Sequence, residues 1–282
     1  MARETVLVTG GTGKTGGKLA RRLLEEGRSV RIASRSGASL DGAEAAAFDW
    51  SDEGTHDAAL ASVDRIYLVA PVGVADVHTP MARFIDRALV KGVRRFVLLS
   101  ASSIEEGGAA MGTVHRYLRS HAPEWAVLRP SWFMQNFSEG QHQPTIRDEG
   151  LIYSATADGR VPFIDAADIA ECALRTLCDP QSHDCAYILT GPEALSYAEA
   201  AAIIGEAAGH EVAHRRLTTA ELAQRWEEAG LEPAYAAILA GMDEAIANGS
   251  EDRTADSVLQ ITGRAPRNLA DFAQCNAGAW KK

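Results

Sequence analysis

Near its amino terminus the chain has a short apolar strand that runs directly into a set of regularly spaced glycines. Residues 6–17 read VLVTGGTGKTGG, and the amphipathic segment 18–26 that follows predicts a helix. Glycine lets the chain turn tightly and lets backbone N–H groups approach a phosphate at the start of a helix, where the helix dipole also favours negative charge. The spacing therefore predicts a dinucleotide-binding turn whose contacts come from Gly10, Thr12, Gly13, Lys14, Thr15 and Gly16.

The same glycines contain a competing pattern. Gly13, Lys14 and Thr15 resemble the end of a nucleoside triphosphate-binding loop, G-x-x-x-x-G-K-T, but the first glycine of that loop would fall at Val8. The triphosphate loop also needs an aspartate after a later apolar strand to hold magnesium, and residues 66–71, IYLVAP, end without one. The context favours a dinucleotide over a triphosphate.

The end of the second predicted strand indicates which dinucleotide is bound. An NAD site usually places a carboxylate there for the ribose 2′-hydroxyl, whereas this strand ends in Ser34, Arg35 and Ser36. A guanidinium flanked by hydroxyls suits a 2′-phosphate, and Lys14 can add a second positive charge. The sequence therefore predicts NADP(H) in preference to NAD(H), with a solvated loop arginine as the alternative interpretation of Arg35.

A carboxylate and an aromatic residue follow the third predicted strand. Asp49 and Trp50 stand where such folds bring a carboxylate to the adenine amine of the dinucleotide. A surface turn explains the pair nearly as well, so the sequence leaves both interpretations open.

Composition excludes several classes of protein. With 46% hydrophobic and 23% charged residues over 282 positions, the chain is typical of a soluble globular protein with room for a nucleotide-binding domain and a lobe. It has neither an apolar run of about 18 residues nor a basic-then-apolar amino terminus, so we expect no membrane span, no secretion signal and a cytoplasmic location. The net charge of −10 argues against nucleic acid or an anionic membrane as a partner; we expect a monomer or homodimer that binds a small-molecule substrate.

No metal site is predicted. His210 and His214 match the H-E-x-x-H pattern of zinc peptidases, which works only on a helix. Gly209 ends the preceding helical segment, and the residues up to Leu217 predict a strand, in which the two imidazoles would lie about 13 Å apart. The cysteines show no C-x-x-C spacing and are expected to be small core residues: Cys172, Cys178, Cys185 and Cys275.

Strands and helices alternate along the first half of the chain. After the first two strands, segments 44–48, 65–69, 95–100 and 126–129 predict strands, and segments 55–61, 78–91 and 114–121 predict helices. This order predicts an α/β fold with a doubly wound, mostly parallel sheet of the Rossmann type, and a ligand at the carboxyl ends of its strands. We expect residues 1–130 and a returning strand at about 184–190 to form the dinucleotide-binding domain. Residues 131–183 and 191–282 are expected to form a smaller, largely helical substrate-binding lobe.

An aromatic cluster directly follows the last strand of this series. Residues 131–137 read SWFMQNF, and a second apolar segment at 161–165 reads VPFID. In such a sheet this is where a nicotinamide ring and its substrate lie, and an organic substrate requires broad apolar walls. A plain core helix is the alternative interpretation. The residues expected to line the substrate pocket are Trp132, Phe133, Met134, Asn136 and Phe163.

Several segments carry a resemblance to a known family over nearly the whole length. They are TGGTGKTG at 9–16, FVLLS at 96–100, LRPSWFMQNF at 128–137, VPFID at 161–165, DIA at 168–170, LTGPEALS at 189–196 and ITGRAP at 261–266. Through them the chain resembles NmrA-like members of the atypical short-chain dehydrogenase/reductase superfamily, close to bacterial relatives of ergot-alkaloid reductases. The resemblance implies an NADP-dependent reductase, or a cofactor-sensing relative of one. It also implies that the glycine turn and five further residues lie near the dinucleotide: Arg35, Ala70, Pro71, Ser100 and Pro130.

The catalytic pair of typical short-chain reductases is absent from this sequence. That pair is Tyr-x-x-x-Lys, in which the lysine lowers the pKa of a proton-donating tyrosine. The six tyrosines are followed four positions later by Pro, His, Ala, Gly, Ala and Leu, and Met111 stands where many NmrA-like proteins have a lysine. Ser102, His115 and Tyr117 remain as candidate catalytic residues, with turn or cap roles as the alternative.

A reaction that needs no proton donor is consistent with this absence. Hydride transfer to an iminium or another polarised double bond needs the donor carbon within about 3.5 Å of the electrophile and little simultaneous protonation. We therefore expect an NADPH-dependent reductase of a C=N, activated C=C or carbonyl group in a hydrophobic small molecule, such as a secondary metabolite. Two alternatives stay open: a non-catalytic NADP(H)-sensing regulatory protein, and a non-redox cyclase or isomerase on the same fold.

Overall fold

The computed structural model of the chain describes residues 4–71, 73–74 and 76–281. The strands are β1 (Thr5–Thr9), β2 (Ser29–Ser34), β3 (Glu44–Ala47), β4 (Arg65–Val69), β5 (Arg95–Leu99), β6 (Glu124–Pro130), β7 (Leu151–Ser154), β8 (Arg160–Val161), β9 (Cys185–Leu189), β10 (Leu195–Ser196) and β11 (Ala213–Arg216). The helices are α1 (Gly16–Glu25), α2 (His56–Ala59), α3 (His78–Val90), α4 (Met111–His121), α5 (Gln135–Ser138), α6 (Gln143–Glu149), α7 (Ala166–Cys178), α8 (Tyr197–Ala208), α9 (Thr219–Glu228), α10 (Pro233–Ala247), α11 (Ser257–Thr262) and α12 (Leu269–Asn276).

Within the described residues, seven strands form one sheet in the order β3-β2-β1-β4-β5-β6-β9. Each pair of neighbours is parallel, with Thr9 opposite Ala33 between β1 and β2, and Leu128 opposite Tyr187 between β6 and β9. The order changes direction between β1 and β4, which is the switch point where open α/β sheets bind their ligands. The predicted doubly wound sheet of the Rossmann type is confirmed.

The central strands are apolar over most of their length because helices cover both faces of the sheet. Phe84 of α3 and Leu118 of α4 pack with Phe96 and Leu98 of β5 in one hydrophobic core. Helix α7 packs against β4, β5 and β6 and also against α1. A strand that is buried on both faces has no polar side to present, which explains the apolar runs of β1, β4 and β5.

The chain divides into two compact units. Unit 1 comprises the segment that ends at Pro130, together with Ala166–Leu189 and Ser257–Arg264. Unit 2 comprises Ser131–Asp165, Thr190–Asp256 and the segment that starts at Ala265. This division differs from the expected one, in which residues 131–183 and 191–282 form the lobe. Helices α7 and α11 belong to unit 1 because α7 covers three strands of the sheet and α11 packs on α7 and β9.

Unit 2 is largely helical and has its own hydrophobic core. Its strands form two pairs, of which β7–β11 is parallel and β8–β10 is antiparallel. Phe137, Phe163 and Tyr197 pack in the core with Phe272 and Trp280. The indole N–H of Trp280 donates a 2.7 Å hydrogen bond to the carbonyl of Phe137, so the carboxyl-terminal segment is fixed to the start of this unit.

Among the residues that the structure describes, none of the helices combines the length and the apolar character that crossing a bilayer requires.

The four cysteines differ in their exposure. Cys172 is buried and Cys178 is partly buried, but Cys185 and Cys275 are exposed. The expectation of core positions is therefore wrong for the last two, because β9 is an edge strand and Cys275 faces outward from α12.

A buried carboxylate joins parts of unit 1 that are distant in the sequence. Glu171 of α7 is 6% exposed. Its oxygens lie 3.1 Å from Nε of Arg22 on α1, 3.6 Å from Nε of Arg175 on α7, and 3.3 Å from Nη2 of Arg264 after α11. One carboxylate thus contacts arginines on α1, on α7 and directly after α11.

Replacing Glu171 by glutamine should therefore destabilise the protein by about 1–2 kcal/mol, because three partly exposed arginines would lose the counter-charge that they share. The measurement is the midpoint of urea unfolding. The control is Glu25→Gln, which removes the other carboxylate on Arg22; its side chain is 60% exposed, and we expect a loss of less than about 1 kcal/mol. Equal midpoints for the two variants would contradict the role of Glu171.

Candidate functional site

Two glycines in the turn between β1 and α1 have no room for a side chain. Gly10 has a φ of 63°, and a Cβ added there would lie 3.1 Å from the side chain of Val69. The N–H of Gly13 donates a 2.9 Å hydrogen bond to the carbonyl of Gly10, which closes the turn. A Cβ on Gly16 would lie 2.4 Å from that same carbonyl oxygen. The predicted spacing therefore folds as a tight turn that leads into the first residue of α1.

The start of α1 is suited to a phosphate group. Thr15 is its N-cap residue and makes no side-chain hydrogen bond to the helix; its hydroxyl accepts a 3.3 Å hydrogen bond from Tyr67 instead. The first backbone N–H groups of a helix have no partner inside the helix and carry its positive partial charge. An anion placed at this end is stabilised by both effects.

A second feature of the same edge of the sheet fits a dinucleotide. Ser100 directly follows β5, and its Oγ is buried without a hydrogen-bond partner among the residues that the structure describes. Ala70 and Pro71 directly follow β4 and are half-buried, and Pro130 ends β6. Buried hydroxyls normally have a hydrogen-bond partner, so this one indicates a ligand that supplies the missing hydrogen bond. The residues expected near the dinucleotide thus fall at the carboxyl ends of neighbouring strands.

Arg35 lies in an exposed turn directly after β2. The hydroxyl of Ser34 donates a 3.0 Å hydrogen bond to the carbonyl of Ala38, and the Oγ of Ser36 accepts one of 3.3 Å from the N–H of Ala38. Both serines therefore shape the turn that presents Arg35. The guanidinium itself is exposed, as a group that meets a phosphate must be.

Asp49 and Trp50 occupy a turn of their own beside this arginine. The carboxylate of Asp49 accepts hydrogen bonds from the hydroxyl and the N–H of Ser51 at 2.6 and 2.8 Å. These hydrogen bonds, and to a smaller extent the charge of Arg35, hold the pKa of Asp49 below its usual value. Trp50 packs edge-on against Phe48 and Phe84. The turn interpretation accounts for these contacts.

The three candidate catalytic residues do not converge on one point. His115 and Tyr117 lie two positions apart on α4, so they face different sides of the helix. His115 is buried against Trp125; burial lowers its pKa, and Oε2 of Glu106 lies 4.0 Å from its Nε2. The hydroxyl of Tyr117 donates to Asp86 of α3, and burial together with that hydrogen bond raises its pKa to about 12. Ser102 is buried in the loop between β5 and α4.

A residue that the sequence analysis did not single out holds this loop. Arg129 of β6 is buried, and its Nη2 donates to the carbonyl of Ser102 at 2.9 Å and to the carboxylate of Glu105 at 2.6 Å. The N–H of Ser102 donates to the carbonyl of Pro130 at 2.9 Å. The only signal in the sequence is an arginine within an apolar strand, AVLRP. Arg129 therefore positions the segment that follows Ser100.

The residues predicted to line a substrate pocket all belong to unit 2. The segment that holds them pairs with a second one: Phe133 is bridged to Ile164, whose carbonyl accepts the N–H of Met134 at 2.8 Å. Met134 and Phe163 are fully buried in the core of unit 2, as the core interpretation requires. Trp132, Phe133 and Asn136 are half-buried and keep surface that a ligand can contact.

The H-E-x-x-H pattern does not lie on a helix. His214 is in β11, as predicted, and its Nε2 shares a 2.8 Å hydrogen bond with Oγ of Ser154. Nε2 of His210 bonds to the carbonyl of Trp280 at 3.1 Å. Within residues 4–71, 73–74 and 76–281, no group of three or more His, Cys, Asp or Glu side chains could hold a metal ion.

The sheet order, the glycine turn and the buried serine at the same edge define a dinucleotide-binding protein of the Rossmann type. The chain belongs to the NmrA-like family, whose model matches residues 2–253. The resemblance inferred from the sequence motifs is thus confirmed.

Known relatives match this chain in sequence or fold over nearly its full length. The uncharacterized oxidoreductase YesF of Bacillus subtilis (strain 168) is 47% identical over 280 residues, which are 99% of this chain and 98% of that one. An agroclavine dehydrogenase of Claviceps fusiformis is 42% identical over 285 residues, 98% of each chain. The structure of an Escherichia coli NADPH-dependent quinone oxidoreductase, QOR2, complexed with NADPH has the same fold, with a TM-score of 0.80 at 21% identity over 96% of this chain and 99% of that one. The protein is an NAD(P)-binding oxidoreductase.

Replacing Gly16 by alanine should weaken dinucleotide binding at least tenfold, because the new Cβ would displace the Gly10 carbonyl and reshape the phosphate turn. The measurement is calorimetric titration with NADPH. Gly278→Ala is the control, since a Cβ at that position meets nothing within 4 Å. Unchanged affinity in Gly16→Ala would contradict the assignment of the turn.

Proposed function

We propose that this protein is an NADPH-dependent reductase that transfers a hydride to a hydrophobic small molecule. The main support for this proposal is that the dinucleotide site has intact geometry although the chain lacks the Tyr-x-x-x-Lys pair. When bound, the reduced nicotinamide supplies a hydride. The glycine turn and the start of α1 bind the pyrophosphate, and the buried Ser100 hydroxyl donates a hydrogen bond to the dinucleotide.

The electrophile of this reaction is a C=N bond, or an activated C=C or carbonyl group. On an iminium ion the hydride adds to carbon, and the π electron pair moves to nitrogen, whose positive charge is cancelled. No proton is consumed in that case, whereas a neutral carbonyl or activated C=C group would take up one proton from water after the hydride. The environments of His115 and Tyr117 favour such an electrophile: burial lowers the pKa of His115, and the Tyr117 hydroxyl is engaged with Asp86.

The substrate contacts come from the aromatic segment of unit 2. Trp132 and Phe133 offer half-buried aromatic surface, and Asn136 is half-buried beside them. Met134 and Phe163 form the buried layer beneath these residues. Aromatic surface of this kind binds hydrophobic organic molecules. The similarity to an agroclavine dehydrogenase supports an organic small molecule as the substrate.

NADPH is the preferred coenzyme. The turn after β2 presents an exposed arginine where NAD-dependent proteins of this fold carry a carboxylate. A guanidinium forms charge-assisted hydrogen bonds with the 2′-phosphate that NADH lacks. The charge of Arg35 also contributes to holding the pKa of Asp49 below its usual value.

The function is tested by following the absorbance of NADPH in the presence of purified protein and three substrate classes: quinones, cyclic iminium ions and enones. We expect consumption of NADPH with one or more classes and stoichiometric reduced product. Tight NADPH binding without turnover of any class would overturn the reductase. Product formation without net NADPH consumption would identify a cyclase or isomerase instead.

Replacing Arg35 by alanine should weaken NADPH binding by roughly 10- to 100-fold, because a charge-assisted hydrogen bond contributes about 1.5–3 kcal/mol. NADH binding should change less than about twofold, because NADH has no 2′-phosphate. The control is Arg21→Ala, which removes an exposed arginine on α1 and so causes the same change in net charge. Equal losses for the two coenzymes would contradict the role of Arg35.

A further inference from the structure

Strand β4 contacts the glycine turn at both of its ends. At the first end, Gly10 lies so close to β4 that a Cβ added to it would be 3.1 Å from Cβ of Val69. At the second end, the hydroxyl of Tyr67 donates a 3.3 Å hydrogen bond to Oγ1 of Thr15, the N-cap residue of α1. Tyr67 and Val69 are two positions apart in β4, so their side chains lie on the same face of the strand. One strand therefore supports the turn where it begins and where it ends.

The hydroxyl of Tyr67 is a donor that is fixed inside the protein. The side chain of Tyr67 is fully buried, and Thr15 is only 4% exposed. Burial raises the pKa of Tyr67 above its usual value, so the phenol keeps its proton and donates it to a hydrogen bond. A buried tyrosine hydroxyl normally has a hydrogen-bond partner, and Thr15 fills that role here.

The backbone hydrogen bonds of the turn fix it only to itself. The N–H of Gly13 donates to the carbonyl of Gly10 at 2.9 Å, and the N–H of Gly17 donates to the carbonyl of Gly13 at 3.0 Å. Threonine at an N-cap position commonly accepts an N–H of the first helical turn, but the side chain of Thr15 makes no such bond. The Tyr67 hydroxyl thus holds Thr15 to the sheet, and the side chain of Thr15 does not take up the helix N–H groups that a phosphate needs.

We propose that Tyr67 is a positioning residue for the coenzyme. It holds Thr15, and with it the start of α1, in the place where the backbone N–H groups meet the pyrophosphate. Tyr67 is buried beneath the turn and acts through Thr15. A turn that is already ordered loses less conformational entropy when the coenzyme binds, so this contact raises affinity. The inference rests on the proposed NADPH-dependent function and adds a residue of a neighbouring strand to its binding site.

This role predicts which ligands respond to the loss of the hydroxyl. NADPH and NADH share the pyrophosphate, whereas adenosine 2′-monophosphate has none. Removing the Tyr67 hydroxyl should therefore weaken both coenzymes alike and leave the binding of the monophosphate unchanged. This pattern differs from the one expected for Arg35, which concerns NADPH alone. A residue with a merely structural role would weaken all three ligands.

The first test is calorimetric titration of Tyr67→Phe with these three ligands. Phenylalanine keeps the ring and removes only the hydroxyl. We expect Kd for NADPH and for NADH to rise about fivefold, the effect of one net neutral hydrogen bond, and Kd for the monophosphate to change less than about twofold. The control is Tyr187→Phe, which removes from β9 of the same sheet a hydroxyl that bonds to His183; it should change none of the three values. An equal loss for the monophosphate, or no loss for the coenzymes, would overturn the proposal.

A double-mutant cycle tests whether Tyr67 acts through Thr15. Thr15→Val keeps the shape of the side chain and the backbone N–H but removes the acceptor. We expect Thr15→Val, and the variant that combines it with Tyr67→Phe, to bind NADPH as weakly as Tyr67→Phe alone, within about twofold, because all three lack the same hydrogen bond. Losses that multiply in the combined variant would show that the two side chains act independently and would contradict the proposal.

Hydrogen exchange without coenzyme separates this inference from the proposed function. The N–H groups of Gly13 and Gly17 should exchange about fivefold faster in Tyr67→Phe than in wild-type protein, because the turn is no longer held to β4. Those of the central strand β5 should exchange at the same rate in both proteins. Unchanged exchange at Gly13 and Gly17 would overturn the role of Tyr67. Wild-type protein that binds neither coenzyme would instead overturn the NADPH-dependent reductase.

Discussion

Two backbone segments approach each other closely in the glycine turn, and the position of α1 against the sheet follows from this contact. Gly16 begins α1 so close to the Gly10 carbonyl that any side chain would collide with it. Helix α1 can therefore start directly after β1, the strand at which the order of the sheet changes direction. The positive end of the helix and the edge of the sheet then face the same space. Only glycine allows this close approach without steric strain.

Local patterns determined the fold to a large extent. The strand expected at 65–69 is β4 with the same bounds, and the helix expected at 78–91 is α3 (His78–Val90), because their apolar residues recur at the periods of a buried strand and an amphipathic helix. The division into units could not be obtained in this way. Helix α11 joins the sheet by packing on α7 and β9, which are distant from it in sequence and meet it only after folding.

The candidate site likewise contains features that the sequence predicts and features that it does not. The glycine turn was predictable because its residues are consecutive in the sequence. The role of Arg129 was not, because it depends on contacts with Ser102 and Glu105 that form only after folding.

The alternation of the chain between its two units limits how this protein can be recombined. The chain leaves the sheet unit after Pro130, returns at Ala166, leaves again after Leu189, and returns once more for Ser257–Arg264. A single cut cannot separate the two units, and a chimera that exchanges one unit must exchange three separate stretches of sequence. Diversification within such an architecture proceeds more readily by point substitutions on a retained framework than by shuffling of whole modules.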